Sequence, residues 1–478
     1  MASTGTMGVF GFVFWLLAAH LYSSSSIGRA GTVISTMVLI SFISDLGLSN
    51  TLVRVLPTSD DMDSEINLAL VLTTGMAMVI ATAYLLVAPS LVPRLDFLRA
   101  NTLDAIGFVL LNGCAAANLL TDSVFIARRR SHYNLLVDGI FQGVAKLACL
   151  GGFVGLSAYG IFLSNGIGGA VAVVASLIVM VWRLGYHPSL KVDIAVFIRN
   201  IRFSLTNYVA SVFQLLPLLL LPIIVLNDEG ARHAAYFFIA FNLANLTYAV
   251  PFAMGQSLFA EGSQGKVDIR ALARRAARIV GPVTLVMAVV IAGSVRWILL
   301  IYGHTYSHNA TPTLIVMVAA LPIVAFNNNG QVLLKLQGRV RTLVVVNVAS
   351  FVVILGLAEV WGPKSLPLVG LAWLLGNLVA ALLASVGSLL PGKAAHRRPI
   401  FSRRGSHAAV SRREQGRPAT RGTPYSRGSG PTVLPREYLE LSAPLGADSE
   451  DSVNGVKPEV WSVSLSYQVR DAAGEGAP

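Results

Sequence analysis

Charge is the scarcest commodity in this sequence. Only 13% of its 478 residues are Asp, Glu, Lys or Arg, while 54% are hydrophobic and the mean hydropathy is +0.66. That balance excludes a soluble globule, because water would face far too much apolar surface. Cysteine is nearly absent. The two present, Cys114 and Cys149, both fall inside apolar runs and read as small packing residues, so neither a disulfide framework nor a thiolate metal site is indicated. Nucleotide-binding and hydrolase signatures are missing as well: there is no GxxxxGK[ST], no HExxH and no plausible nucleophile triad. No cofactor is expected, and the chain is not read as an enzyme.

What is there is a series of apolar runs, each long enough to cross a hydrocarbon core of about 30 Å. Twelve spans are predicted, at 7–22, 31–56, 66–90, 104–126, 135–155, 159–182, 203–226, 233–255, 277–301, 311–334, 342–358 and 366–390. The first lacks a basic leader and is taken as a span rather than a signal peptide. With the N-terminus inside, the connections on the cytoplasmic side carry fifteen Lys and Arg and those outside carry five, which satisfies the positive-inside rule. Both termini are therefore expected in the cytoplasm. Lysine supplies just seven of the 36 basic residues, a GC-rich, bacterial usage that points to a bacterial plasma membrane.

The expected fold class is thus all-α and polytopic, about twelve transmembrane helices in two six-helix lobes. The longest connection before the tail, from Trp182 to Phe203, divides the spans six and six. Domains are placed at 1–190, 191–392 and 393–478. Two halves of equal orientation suit parallel repeats around a cavity. The last segment is expected to be a disordered cytoplasmic tail. Residues 393–427 hold ten basic residues and one acid, whereas 428–478 hold three and eight. Its basic part should lie on anionic lipid headgroups; no nucleic-acid partner is expected.

Several spans carry polar groups at hydrocarbon depth, where a charge costs at least a few kcal/mol unless it faces protein or water. The second span, GTVISTMVLISFISDLGLSNTLVRVLP, holds Asp45, Asn50 and Arg54. Read as one continuous helix, it puts Asp45 and Arg54 roughly 13 Å apart along the axis, too far for an ion pair. Arg54 could equally snorkel to headgroups and Asp45 be satisfied by a neighbouring helix. The fifth span places Asp138, Gln142 and Lys146 at i, i+4 and i+8, one stripe with Lys146 about 16 Å deep. A structural pairing of Lys146 with a carboxylate such as Asp122 is the plainer alternative. The fourth span offers Asn112, Asn118 and Asp122, the seventh Asn207, Ser211 and Gln214 before Pro217 and Pro222, and the eighth Asn242 and Asn245. For single amides, ordinary interhelical hydrogen bonding accounts for them equally well. The tenth ends in Asn327, Asn328 and Asn329, of which at most two can face a cavity; a local break in the helix near Gly330 accounts for them as well as a ligand site does.

The run GFVFWLLAAHLYSSSSIGRAGTVISTMVLISFISDLGLSNTLVRVLP, with its IGRAG turn, the DLGL segment from Asp45 and the basic Arg54, resembles the opening of the polysaccharide-export, oligosaccharide-flippase family. That family is related to multidrug-and-toxin extruders and to the lipid II flippase. IARRRSHYNLLVDGI resembles its turn between the fourth and fifth helices, and the resemblance covers about residues 1–390. It implies a two-lobed transporter that moves a polyprenyl-pyrophosphate-linked oligosaccharide to the outer leaflet by alternating access, beside enzymes of cell-surface glycan biosynthesis. It further implies Arg54 and Lys146 as cations for the phosphates, with Asn50, Gln142, Asn207, Gln214 and Asn242 as sugar or water contacts. Asp45, Asp122 or Asp138 would carry a coupling ion. The alternatives are an ion-coupled drug or small-cation extruder of the same fold, and a membrane-embedded sugar-lipid ligase or polymerase, for which the short outside connections leave no room.

Overall fold

The structure is a computed structural model, and it describes residues 2–59, 61–189, 194–263 and 269–389. The 393–478 tail lies outside these. Every span is helical because a backbone group in hydrocarbon must find its partner within its own segment. The first half of the chain forms α1 (Ala2–Leu21), α2 (Ser24–Ser44), α3 (Leu48–Val55), α4 (Met62–Leu91), α5 (Thr102–Ala127), α6 (His132–Asn134), α7 (Gln142–Gly152) and α8 (Ser157–Leu184). The second forms α9 (Ile194–Glu229), α10 (Ala231–Ser263), α11 (Ile269–Leu300), α12 (His304–Asn309), α13 (Thr311–Ala319), α14 (Leu321–Leu336), α15 (Val340–Trp361) and α16 (Leu366–Leu389).

Among the described residues ten helices are long and apolar enough to cross a membrane, and the pair α13–α14, bent by 40°, makes an eleventh span if read as one; Gly5–Leu21 is a shorter apolar helix. The twelve-helix, multi-pass reading of the sequence therefore stands. Three expectations of local geometry do not. The second span is not one helix, because α2 ends at Ser44 and the chain turns through two left-handed residues, Leu46 at φ 49° and Gly47 at φ 79°, before α3 begins. Gly47 tolerates that conformation at no steric cost, whereas Leu46 does not. In the fifth span, Leu135–Phe141 is a π-helical turn in which the Gln142 N–H bonds back five residues to Val137 O. That wider turn takes Asp138 out of the ideal stripe with Gln142 and Lys146. The tenth span bends at Ala320, ahead of Pro322, and runs unbroken through Gly330.

The long helix α2 joins the two halves. It packs against α4, α5 and α8 on one side and against α9 and α10 on the other. At the end of the bundle that holds the α1–α2 turn, the halves are zipped together. A Cβ at Gly28 would overlap the Ala231 carbonyl oxygen, so α2 and α10 approach as only glycine allows. Thr32 Oγ1 donates to Pro222 O at 3.2 Å, and Arg94 donates to the carbonyls of Leu226 and, at 2.6 Å, Asn227. At the opposite end, His187 Nδ1 sits 2.9 Å from Asp63 Oδ2 and the Tyr186 hydroxyl donates to Asn67 Oδ1. Burial and the nearby Asp63 carboxylate push the Tyr186 phenol up to about 12, so it stays a neutral donor.

Candidate functional site

Two cavities lie on opposite sides of α2, and Phe42 lines both. Phe42 is held from behind: its ring stacks on Tyr208, 6.1 Å between centroids, and the Tyr208 hydroxyl donates to Phe42 O and Ile43 O at 3.0 and 2.8 Å. Those carbonyls are left over where α2 stops short of a further turn.

The cavity among the first six spans has a volume of about 300 Å³ and is walled by α2, α5, α7 and α8. Apolar Ile34, Met37, Val38 and Leu119 make up much of its surface, with Ser41, Asn118, Asp122, Gln142 and Asn165 between them. Behind it, the π turn brings Asp138, 3% exposed, up against Asp122. Two carboxylates have no donor between them, so this contact is a hydrogen bond only when a proton is shared. Asn118 Nδ2 donates to Asp138 Oδ1 at 2.9 Å, and Asn134 Nδ2 reaches Asp122 O at 3.4 Å. Asp122 Oδ1, Asp138 Oδ2, Asn118 Oδ1 and Asn134 Oδ1 have no donor. Every unpartnered atom in this cluster is thus an acceptor oxygen, a setting that draws a proton or a hard cation.

The cavity among the last six spans is about 340 Å³ and, among the described residues, contains no Asp, Glu, Lys, Arg or His in its walls. It is lined instead by seven amide side chains, Gln214, Asn245, Asn327, Asn328, Gln331, Asn347 and Asn377, together with Phe213, Tyr248, Phe252 and Trp373. Three of the amides are tied to backbone: Asn328 to Pro251 O at 3.0 Å, Asn347 to Ala210 O at 2.8 Å and Asn377 to Trp373 O at 2.9 Å. Because a carbonyl can only accept, Asn377 must present its NH₂ to Trp373, and its Oδ1 must then receive Asn327 Nδ2 at 3.0 Å. Asn327 Oδ1 in turn receives Gln331 Nε2 at 3.0 Å. The series leaves Gln331 Oε1 without a partner, a vacancy worth about 1–3 kcal/mol in a buried site.

The residues singled out by sequence are not gathered in one place. Asp122 and Gln142 line the first cavity and Gln214 the second, while Asp138 stands behind Asp122. Asn242 lines a third recess of about 320 Å³ between α1 and α10, its Nδ2 donating to Phe238 O. Lys146 lies over the Phe14 ring at 5.6 Å, a cation–π contact, and lines neither cavity. Asn50 and Arg54 are exposed on α3. Asp45 accepts from Ser49 N at 3.0 Å and Ser49 Oγ at 2.6 Å, closing the first turn of α3. Asn207 is carried by α9, its side chain outside those described. Sequence reasoning passed over Asn347, Trp373 and Asn377; polar atoms in the interior of otherwise apolar spans were the available signal.

No protein-family profile matches the chain, and no curated protein matches it. Solved structures do share its fold. A multidrug-resistance MATE transporter of the MOP superfamily, in an inward-facing conformation, matches with a TM-score of 0.66 and 13% identity, covering 80% of this chain and 93% of that one. The lipid II flippase MurJ, in an inward closed conformation, matches at 0.64 with 12% identity over 80% of this chain and 86% of its own. An outward-facing MATE transporter of the same superfamily matches at 0.54 with 13% identity over 81% and 92%.

Proposed function

We propose that this chain moves a lipid-linked oligosaccharide, carried on a polyprenyl pyrophosphate, across the plasma membrane of a bacterium by alternating access, in the service of cell-surface polysaccharide synthesis. The observation that carries the reading is the uncharged, amide-lined and aromatic cavity of the last six spans. A charged drug would lose its hydration there without gaining a counter-charge, whereas a hydroxylated cargo finds donors and acceptors.

The zipped end at Gly28, Thr32 and Arg94, set outward by the distribution of basic residues, is the closed gate of an inward-facing state. The better superposition on inward-facing than on outward-facing folds supports this assignment. A proton or sodium ion at the Asp122–Asp138 pair would drive the cycle, since its occupancy changes the charge beside the first cavity. Arg54, exposed on α3, and Lys146 are the cations proposed for the pyrophosphate. The basic tail would lie on anionic lipid, and glycan-synthesis enzymes are the proposed neighbours.

A second reading has one observation in its favour. The first cavity, apolar with the single carboxylate of Asp122 in its wall, suits a lipophilic cation and hence a drug extruder. The deciding test is the sidedness of lipid-linked glycan in cells depleted of the protein, read with a membrane-impermeant lectin. Inward-facing, protected intermediates should accumulate and be cleared by wild type but not by Lys146→Ala. Unchanged pools, with tetraphenylphosphonium efflux lost instead, would establish the extruder.

A further inference from the structure

The cavity of the last six spans is more selective than its lack of charge alone implies. The relay Gln331→Asn327→Asn377→Trp373 O consumes the amide donors in one direction and ends on a backbone carbonyl. Two fully buried polar atoms in its walls are left without a partner. Gln331 Oε1, on a side chain 3% exposed, is an acceptor without a donor. Trp373 Nε1, on a side chain 7% exposed, is a donor that lies beside the Tyr248 hydroxyl without the alignment of a hydrogen bond to it. The Tyr248 hydroxyl already donates to Met317 O at 2.6 Å.

A ligand that satisfies both must offer a donor and an acceptor, and the uncharged walls favour one without charge. A hydroxyl does so in a single group, and a sugar ring carries hydroxyls on adjacent carbons. The aromatic walls fit the rest of such a ring. Trp373 stacks on the fully buried Tyr248, 13° between planes and 6.3 Å between centroids, and is thereby held as an aromatic wall for the positive C–H face of a pyranose. At about 340 Å³ the cavity sits at the small end of ligand pockets, which run from about 300 to 1,000 Å³, and admits one residue rather than a chain.

We propose that Gln331 and Trp373, the latter backed by Tyr248, form a subsite for one neutral sugar residue of the cargo glycan. This rests on the flippase reading and assigns its sugar recognition to the last six spans, in residues that include none of the cations implied for the phosphates.

The test uses the full chain in detergent micelles with methyl α-glucopyranoside and N-acetylglucosamine as neutral probes, tetraphenylphosphonium as a cation and inorganic pyrophosphate as an anion. Binding is read by saturation-transfer NMR, which detects millimolar affinities. Wild type should bind a neutral sugar, and Trp373→Phe, which removes one unpartnered donor and keeps the ring, should weaken it about tenfold with the melting temperature unchanged. Gln331→Leu should weaken binding to a similar degree. Equal sugar binding by wild type and both variants would place recognition elsewhere and overturn the subsite. So would tetraphenylphosphonium occupying the site to the exclusion of sugars, which also counts against the flippase reading. Absence of sugar binding overturns the subsite too, and if lipid-linked glycan is still flipped by the variants in the sidedness assay, only the subsite has failed.

Discussion

The two cavities that meet at Phe42 are walled by opposite chemistry. One holds Asp122, backed by Asp138 and a set of oxygens that all lack donors; the other holds seven amides and no ionisable group beyond the bound Tyr248 hydroxyl. A carboxyl pair changes charge when a proton or cation arrives, and amides never do. The difference teaches how one bundle can separate its tasks: a site that responds to ions in the first half, and a site that reads shape and hydrogen bonding in the second. The helix between them, α2, is the element both would have to move.

Breaking the ionic side should have the largest effect. Asp138→Asn keeps a partner for Asn118 but removes one of the two facing carboxyls, so transport should fall by up to about 150-fold, the upper range of coupling free energies, and lose its pH dependence. Transport assayed in vesicles across imposed pH gradients checks this, and an unchanged pH profile would remove the pair from the coupling mechanism. Next is the seam where α2 meets α10 at the zipped end. Gly28→Ala drives a Cβ into the Ala231 carbonyl, and overpacking of about 1–3 kcal/mol should part the zipped end. Distances between spin labels at Arg99→Cys and Arg232→Cys, in a background free of Cys114 and Cys149, should lengthen; distances that hold would show that this seam does not govern the state.

A smaller loss is expected on the amide side. Asn377→Leu strips Asn327 of its acceptor, for about 1–3 kcal/mol of stability, and the melting temperature should fall without any change in the pH profile. A pH profile that moved would blur the division between the halves. The smallest effect belongs to Ser49→Ala, about 1 kcal/mol, because Asp45 then loses one of its two hydrogen bonds at the start of α3. If that variant shifts the pH dependence as Asp138→Asn does, Asp45 belongs with the carboxyl pair rather than with the helix cap.

Much of the architecture was legible because hydrocarbon thickness imposes a length on every span, and length is visible in sequence. Even the limit on the asparagine triplet holds: Asn327 and Asn328 line the cavity and Asn329 does not. What stayed hidden depends on departures from ideal helix geometry. A continuous second span would carry Asn50 and Arg54 along its axis with Asp45, but the left-handed step at Leu46 and Gly47 turns them onto the separate, exposed face of α3. Leu46 is an unusual residue for that conformation, so no propensity signals it. The amide relay was hidden for another reason. Asn327 and Asn377 are fifty positions apart, and only the packing of α14 on α16 brings them together.

The π turn at Leu135–Phe141 has a genetic meaning. Such a turn is an α-helix holding one surplus residue, which its wider winding absorbs, so deleting a single codon within it would restore regular winding, leave the helix on either side in register and re-aim only the residues of the turn itself. Asp138 would then face away from Asp122 with neither side chain altered. One codon thus separates a paired from an unpaired carboxyl, and homologues with and without it would differ in ionic dependence while their sequences stayed almost identical.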